Sequence, residues 1–135
     1  MPRFSERSER QLATCDERLQ RIARKAIEII DFMVVEGHRD EMAQNMAYAQ
    51  GKSQVKFPNG KHNSHPSRAM DIAPFPIDFS NEHRALERFV YLQGIVRAIA
   101  ESHGIKIRQG IDWDRDDDMR DEKFRDYPHV ELIEP

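Results

Sequence analysis

One carboxylate, Asp71, lies inside an otherwise apolar run (AMDIA, 69–73) that has the length and composition of a buried strand. A buried carboxylate without a partner costs on the order of several kcal/mol of folding free energy, so Asp71 needs a partner. Histidines precede it at positions 62 and 65, on a loop without periodicity, and His129 follows near the end of the chain. Imidazole and carboxylate groups are common zinc ligands. One of the early histidines, Asp71 and His129 therefore form a candidate catalytic zinc site.

The composition fits one soluble domain and excludes several classes of protein. The chain has 135 residues, 33% of them charged, and a net charge of -3, which does not favour nucleic-acid binding. The N-terminal segment is too charged for a signal peptide, and no run approaches the ~20 apolar residues of a membrane span. The single cysteine, Cys15, excludes an internal disulfide and a cysteine-based zinc site. We therefore expect one domain over residues 1–135, with no nucleic-acid partner and no stable membrane association.

The order of helical and strand patterns predicts the α+β class. Apolar residues at spacings typical of helices, with a break near Asp16, predict helices over residues 8–30, 40–50 and 82–103. Strand-forming residues predict strands over residues 31–36, 68–73, 105–108 and 129–133. These strands are too few for a wound parallel sheet, so we expect a small, mainly antiparallel sheet packed against two or three helices.

Two local features of the predicted helices make specific predictions. Ser8 is a candidate N-cap of the first helix, because its hydroxyl can accept a backbone hydrogen bond. In the second helix Met42, Met46 and Ala49 share one side, and a methionine stripe at this spacing is typical of a buried face. We therefore expect these methionines in the core.

The end of the chain offers two carboxylates that could take a proton from a water molecule at such a zinc ion. Asp126 precedes His129 by three residues, and Glu131 follows it by two. In an alternating strand Glu131 shares a face with His129, so it is either a rival base or a partner that orients the imidazole ring. We favour Asp126 as the base. Arg39 follows a predicted strand and suits either a carboxylate or developing oxyanion, or a surface salt bridge.

The segment 112–122, here named the acidic loop, is a candidate calcium site. Its alternating aspartates match the first half of a calcium-binding loop: Asp112, Asp114, Asp116 and Asp118. The match then ends, because Asp117 stands where such a loop has glycine and Lys123 stands where it has glutamate. A solvated loop is the main prediction, and a Ca²⁺ site is the secondary one.

Five segments of the chain together resemble a known enzyme family. They are Glu36-Gly37-His38-Arg39 with Gln44, Gly51-Lys52-Ser53, the run from Lys61 to Pro74, Asp112-Trp113-Asp114, and Asp126-Tyr127-Pro128-His129-Val130-Glu131. Over most of its length the chain is similar to the D-alanyl-D-alanine carboxypeptidase-like zinc peptidases. Within them it resembles the phage endolysins that act on peptidoglycan as L-alanyl-D-glutamate endopeptidases.

The resemblance implies a fold and a set of site residues. The fold is the zinc peptidase fold of the D-Ala-D-Ala carboxypeptidase and hedgehog type. The implied zinc ligands are His62, Asp71 and His129. Asp126 is the implied catalytic acid and base, and Arg39 has an implied role in binding substrate or stabilising the oxyanion.

Neither early histidine has the spacing of the broad family pattern, and the resemblance to the endolysin branch is what assigns one of them. The broad family pattern is Ser-x-His-x-x-Gly-x-Ala-x-Asp, whereas Asp71 lies nine residues after His62 and six after His65. The endolysin branch reads Lys-His-Asn-x-x-Pro-Ser-x-Ala-x-Asp, which this chain matches from Lys61 to Asp71. This resemblance implies His62 as the ligand and places His65 at a variable position.

The resemblance also implies a function. The chain would be a zinc-dependent endopeptidase that cleaves the L-alanyl-D-glutamate bond of the peptidoglycan stem peptide and lyses a bacterial host. It would act as a monomer without a separate wall-binding module, and would reach the periplasm and cell wall from the host cytoplasm through a pore-forming phage protein. Two alternatives stay open: a D-alanyl-D-alanine dipeptidase or carboxypeptidase, and a non-catalytic zinc-stabilised binding domain.

Overall fold

The computed structural model describes residues 2–133 and contains α-helices, β-strands and two short 3₁₀ turns. The helices are α1 (Glu6–Leu12), α2 (Glu17–Ile27), α3 (Glu41–Ala49) and α4 (His83–Ser102). The strands are β1 (Phe32–Glu36), β2 (Ala69–Pro74), β3 (Ile107–Gln109) and β4 (His129–Leu132). The 3₁₀ turns are Lys61–Asn63 and Met119–Asp121. Within the described residues, no helix combines the length and apolar character that crossing a bilayer requires.

All four strands join one antiparallel sheet in the order β1-β2-β4-β3. This confirms the predicted α+β class with a small antiparallel sheet. Because β4 lies between β2 and β3, Asp71 and His129 are direct cross-strand neighbours. On the other side of β4, Glu131 lies opposite Arg108 of β3. Strand pairing therefore brings the middle and the end of the chain together.

Side-chain alternation gives the sheet a core face and a site face. Val130 and Leu132 of β4 are fully buried in the core, and the alternate residues His129 and Glu131 lie on the opposite face. The core face packs against α1, α2 and α4, which contribute the buried side chains Leu12, Leu19, Ile22, Leu92 and Val96. The apolar core thus leaves one side of the sheet for polar side chains.

The N-terminal helical segment is divided near Asp16, as predicted, but its first cap is a different serine. The Asp16 side chain caps α2 by accepting a backbone hydrogen bond. The prediction of Ser8 as an N-cap is wrong, because Ser5 caps α1 and Ser8 lies inside that helix. Ser8 is buried, and its hydroxyl oxygen accepts a hydrogen bond of 3.1 Å from the backbone N–H of Val34. The hydroxyl therefore satisfies a donor of the edge strand β1 and joins α1 to the sheet.

The methionine stripe of α3 faces solvent, so the prediction of a buried stripe is wrong. Met42 and Met46 are 73% and 55% exposed. The buried residues of α3 are Gln44 and Ala47 instead. The Gln44 carboxamide accepts a hydrogen bond from Arg39 and donates one to the Ser53 hydroxyl. Polar contacts near the site therefore set the orientation of this helix.

Gly37 allows the chain after β1 to pass close to the break between α1 and α2. A Cβ atom here would overlap the side chains of Thr14 and Cys15 and the Gln11 carbonyl. We expect Gly37→Ala to lower the free energy of unfolding by about 1–3 kcal/mol, because close-packed neighbours must shift. The control is Gly94→Ala in α4, where a Cβ meets open space and should raise stability by about 0.5–1 kcal/mol. Urea denaturation measures both, and equal stabilities would contradict this packing.

Candidate metal centre

Three side chains meet on the site face of the sheet and form a candidate metal site, here named the metal cluster: His62, Asp71 and His129. Asp71 Oδ1 lies 3.3 Å from His62 Nε2 and 3.5 Å from His129 Nδ1. Ligand atoms about 2.0–2.2 Å from a tetrahedral zinc ion are about 3.3–3.6 Å apart, so these separations fit one shared ion. The structure thus brings together the three candidate ligands that the family resemblance implies.

Two of these ligand atoms, His62 Nε2 and Asp71 Oδ1, are buried and have no hydrogen-bond partner. Each buried polar atom without a partner costs about 1–3 kcal/mol, and such atoms are rare in folded proteins. A divalent cation between them would satisfy both. The donor set and its geometry therefore fit zinc, with His62 and His129 also lining an open cleft from which a fourth ligand can approach.

A backbone contact fixes which nitrogen of His62 faces the cluster. The 3₁₀ turn Lys61–Asn63 carries His62, whose Nδ1 lies 2.7 Å from the Gly37 carbonyl oxygen. Nδ1 therefore carries the proton, and Nε2 is available to a metal. His65, the other candidate, packs edge-on against His38 with 5.2 Å between ring centroids, outside the cluster. The structure places His62, and not His65, at the site.

Glu131 lies behind His129, on the opposite side of the imidazole ring from Asp71. The distance from His129 Nε2 to Glu131 Oε1 is 2.8 Å, while Nδ1 faces Asp71. The other carboxylate oxygen of Glu131 is 3.3 Å from Arg108 Nε. A carboxylate at the far ring nitrogen fixes the tautomer and orientation of a metal-binding histidine. Of the two roles left open, the geometry favours the orienting role over that of the base.

We expect Glu131→Gln to weaken zinc binding about 10- to 100-fold, because a neutral amide is a poorer partner for the His129 imidazole. Titration of the metal-free protein with zinc against a competing chelator measures this affinity. The control is Glu28→Gln, which changes an exposed glutamate at the end of α2 and should leave the affinity unchanged. Wild-type affinity in Glu131→Gln would show that Glu131 does not orient His129.

Asp126 faces the metal cluster from the loop before β4. Its Oδ2 lies 4.0 Å from His129 Nδ1. The Asp126 backbone N–H donates a hydrogen bond of 2.9 Å to the Gly110 carbonyl, and a Cβ at Gly110 would overlap Asp126. Burial, and then the negative charge of Asp71, raise the pKa of Asp126 to about 6. A carboxyl group that titrates near neutral pH can both accept and return a proton.

The charges of the cluster stabilise one another. Burial favours the neutral form of Asp71, yet His62 and His129 hold the pKa of this carboxyl well below its usual range. Burial also opposes protonation of His129, but the carboxylates of Asp71 and Glu131, one at each ring nitrogen, raise its pKa to about 10. The surrounding charges therefore keep Asp71 in the carboxylate form, which is the form that binds a cation.

Arg39 contacts the cluster through Asp71. Its guanidinium donates hydrogen bonds of 2.7 Å to Glu36 Oε1 and 3.0 Å to Gln44 Oε1. A third, of 3.4 Å, reaches Asp71 Oδ2. Only 11% of the side chain is exposed, which excludes a surface salt bridge. Asp71 therefore offers one oxygen to Arg39 and the other to the histidines.

Sequence reasoning missed the contacts of Gln44 and Trp113. Gln44 is 1% exposed and links Arg39 to the Ser53 hydroxyl. The Trp113 ring lies 5.2 Å from the His129 ring, against the metal cluster. Both residues occur in the segments that carry the family resemblance, and this was the signal that could have assigned them to the site.

A cleft of about 410 Å³ lies over the metal cluster. Its charged lining residues comprise two carboxylates and several cations: Asp126, Glu131, Arg39, Lys52, Lys61 and Arg108. Trp113 and Phe124, whose rings stack with 6.3 Å between centroids, add an aromatic wall. The lining therefore favours an anionic ligand, although the chain as a whole has a net charge of -3.

The acidic loop gathers part of the predicted calcium ligands. Carboxylate oxygens within 4.8 Å of one another come from Asp112, Asp114 and Asp116. Asp118 is instead paired with Arg120 at 2.8 Å. Asp117 has a positive φ of 63°, so it makes the sharp turn for which calcium loops use glycine. Asp112 Oδ1 is buried without a hydrogen-bond partner, which makes this cluster a second candidate cation site.

Comparisons with known proteins agree with this geometry. The family model for phage L-alanyl-D-glutamate peptidase matches residues 1–133. The L-alanyl-D-glutamate peptidase of Escherichia phage T5 is 37% identical over 139 residues, covering 97% of this chain and 98% of that protein. The crystal structure of the Serratia marcescens L-Ala D-Glu endopeptidase ChiX is similar with a TM-score of 0.72 and 26% identity, covering 96% of this chain and 89% of that chain. Because these matches extend over nearly the whole chain, the protein is a peptidase that belongs to the family of phage L-alanyl-D-glutamate peptidases.

Proposed function

We propose that this peptidase is a zinc-dependent endopeptidase that hydrolyses the L-alanyl-D-glutamate bond of the peptidoglycan stem peptide. The observation that carries the zinc assignment is the buried, unpaired atoms of His62 and Asp71, which stand with His129 at the spacing of tetrahedral zinc ligands. The bond assignment is supported by similarity to the T5 peptidase and the Serratia endopeptidase, whose names state this bond.

Side chains on two sides of the cluster have different tasks in the proposed reaction. Bound zinc supplies Lewis acidity, which polarises the scissile carbonyl and acidifies water. Asp126 Oδ2 takes a proton from the attacking water as the new C–O bond forms, and returns it to the leaving nitrogen as the C–N bond breaks. Glu131 holds the His129 ring at Nε2, so that Nδ1 stays directed at the cluster.

Arg39 supports the same site from the β1 side of the sheet. Its contact with Asp71 Oδ2 directs the other oxygen towards the histidines. Arg39 also lines the cleft, where its fixed positive charge lowers the energy of negative charge that develops on the carbonyl oxygen. We therefore assign Arg39 to positioning Asp71 and to stabilising the transition state.

The proposed biological role is lysis of the host. The enzyme collects in the host cytoplasm as a monomer, passes through a pore made by another phage protein, and cleaves the wall in the periplasm. Expression with and without a pore-forming protein tests this order. Rapid lysis only with the pore protein is expected, and rapid lysis without it would contradict the proposed route.

Mass spectrometry of digested muropeptides tests the bond assignment. Cleavage at the proposed bond leaves L-alanine on the glycan and releases a peptide that begins with D-glutamate. Loss of terminal D-alanine alone would indicate a D-alanyl-D-alanine dipeptidase or carboxypeptidase instead. Absence of any hydrolysis by the zinc-loaded protein would favour a non-catalytic binding domain. The position of Glu131 argues against a non-catalytic domain with four zinc ligands. Its carboxylate contacts His129 Nε2, the ring nitrogen that faces away from Asp71, and is therefore not placed as a fourth ligand.

We also propose that the acidic loop binds Ca²⁺ as a secondary cofactor. The buried, unpaired Asp112 Oδ1 and its neighbours Asp114 and Asp116 support this assignment. Activity measured against free Ca²⁺, with zinc held constant, is expected to rise and then saturate. A flat response would contradict the proposed calcium site.

A further inference from the structure

The substrate of the proposed reaction carries a negative charge beside the scissile bond. A glutamate residue has two carboxyl groups, and only one of them can continue the peptide chain. The other stays free and lies within a few bonds of the nitrogen that leaves. Because a buried charge without a partner is costly, the cleft must present a cation or water to this carboxylate.

Arg39, one of the cations that line the cleft, is already engaged. It donates to Glu36, Gln44 and Asp71, and 11% of its side chain is exposed. Its contacts serve the metal cluster. A substrate carboxylate at Arg39 would compete with Asp71 for the same guanidinium group.

Arg108, on the opposite side of the metal cluster, has an N–H donor without a hydrogen-bond partner. Its side chain is 36% exposed and lines the same cleft. Glu131 Oε2 lies 3.3 Å from Arg108 Nε, yet Nε makes no hydrogen bond. Glu131 is also bonded to His129 through its other oxygen. The Glu131 carboxylate is thus shared between the His129 ring and Arg108, and Arg108 Nε is left without a hydrogen-bond partner.

Lys61 adds a second positive charge at this place. Its ammonium group donates a hydrogen bond of 2.8 Å to the carbonyl oxygen of Leu132, at the end of β4, and Lys61 lines the cleft beside Arg108. A carbonyl oxygen does not neutralise a lysine. The β3–β4 side of the cleft therefore has an excess of positive charge next to the metal cluster.

We propose that Arg108, assisted by Lys61, binds the free carboxylate of the glutamate residue that follows the scissile bond. Arg108 thereby becomes a specificity residue that selects the acid over its carboxamide. A planar guanidinium group suits a carboxylate because it can donate two parallel hydrogen bonds. This inference rests on the proposed function and deepens it.

The test compares two synthetic stem peptides that differ only in this group, one with the free carboxylate and one with the carboxamide. For zinc-loaded wild-type protein we expect kcat/KM to be about 10- to 100-fold higher for the acid, the range of a charge-assisted hydrogen bond. Arg108→Gln should bring the ratio close to one, and Arg108→Lys should keep part of it. Lys106→Met removes a positive charge just before β3 but outside the cleft lining, and should keep the wild-type ratio.

The ratio of kcat/KM for the acid peptide to that for the carboxamide peptide separates carboxylate recognition from a general loss of activity. A loss of stability or of zinc affinity lowers kcat/KM for both peptides by the same factor. Equal kcat/KM values in the wild type, or an unchanged ratio in Arg108→Gln, would overturn this inference and leave the proposed function intact. If wild-type protein cleaves neither peptide, the proposed function itself fails.

If Arg108→Gln does not fold, Arg108→Lys and Lys61→Met carry the test, each with a reduced ratio. Calorimetric binding of both peptides to Asp126→Asn should show the same preference without turnover.

Discussion

Replacement of Asp126 by asparagine is expected to lower kcat by about 10²- to 10⁴-fold while zinc stays bound, the range for loss of a general acid–base group. Asparagine keeps the shape of the side chain, but its carboxamide cannot take a proton from water or return one to the leaving nitrogen. The three ligand atoms of His62, Asp71 and His129 are unchanged by this substitution. Catalysis and metal binding should therefore separate in this variant.

Hydrolysis of a stem peptide and metal analysis of the same preparations measure the two effects of Asp126→Asn. Asp31→Asn is the control, because it removes one negative charge from an exposed site outside the cleft lining. It should keep wild-type activity and zinc content. Full activity in Asp126→Asn would show that another group is the base, and loss of zinc would show that Asp126 is a ligand.

Replacement of Asp71 by asparagine is expected to abolish zinc binding and hydrolysis together. Without the cation, the buried atoms His62 Nε2 and Asp71 Oδ1 have no partners, so the metal also stabilises the fold. At a free zinc concentration about a thousand times Kd, removal of zinc should lower the free energy of unfolding of the wild type by about 4 kcal/mol. Asp71→Asn should show almost none of this loss.

Urea denaturation with and without a chelator measures the stabilisation by zinc in both proteins. Asp31→Asn again serves as the control and should lose as much stability on chelation as the wild type. A loss in Asp71→Asn as large as that in the wild type would place the stabilising ion elsewhere, with the acidic loop as the other candidate site.

The metal cluster could be predicted because one residue violates the apolar pattern of its strand. Asp71 interrupts a buried run, which requires a partner, and His129 lies in an alternating segment that can pair with it. The strand period also placed Glu131 on the same face as His129. The strand period does not determine which nitrogen of the His129 ring faces which carboxylate. The role of Glu131, as a base or as an orienting partner, therefore depends on the three-dimensional structure.

Two predictions from the sequence were wrong, the Ser8 N-cap and the buried methionine stripe, because a tertiary contact outweighed a local preference in each case. Serine is a favoured N-cap residue, but the Ser8 hydroxyl accepts a hydrogen bond from the backbone of β1 instead. Met42 and Met46 have the spacing of a buried stripe, yet Gln44 turns the opposite side of α3 inward through contacts with Arg39. Helical spacing identifies a shared side of a helix but not the direction in which that side points.

The proposed function requires that His62, Asp71 and His129 together hold one zinc ion. Anomalous diffraction from crystals of the zinc-loaded protein, recorded above and below the zinc absorption edge, tests it most directly. We expect a zinc peak about 2.0–2.2 Å from His62 Nε2, Asp71 Oδ1 and His129 Nδ1. A zinc peak at the acidic loop alone, or no peak between these three atoms, would contradict it.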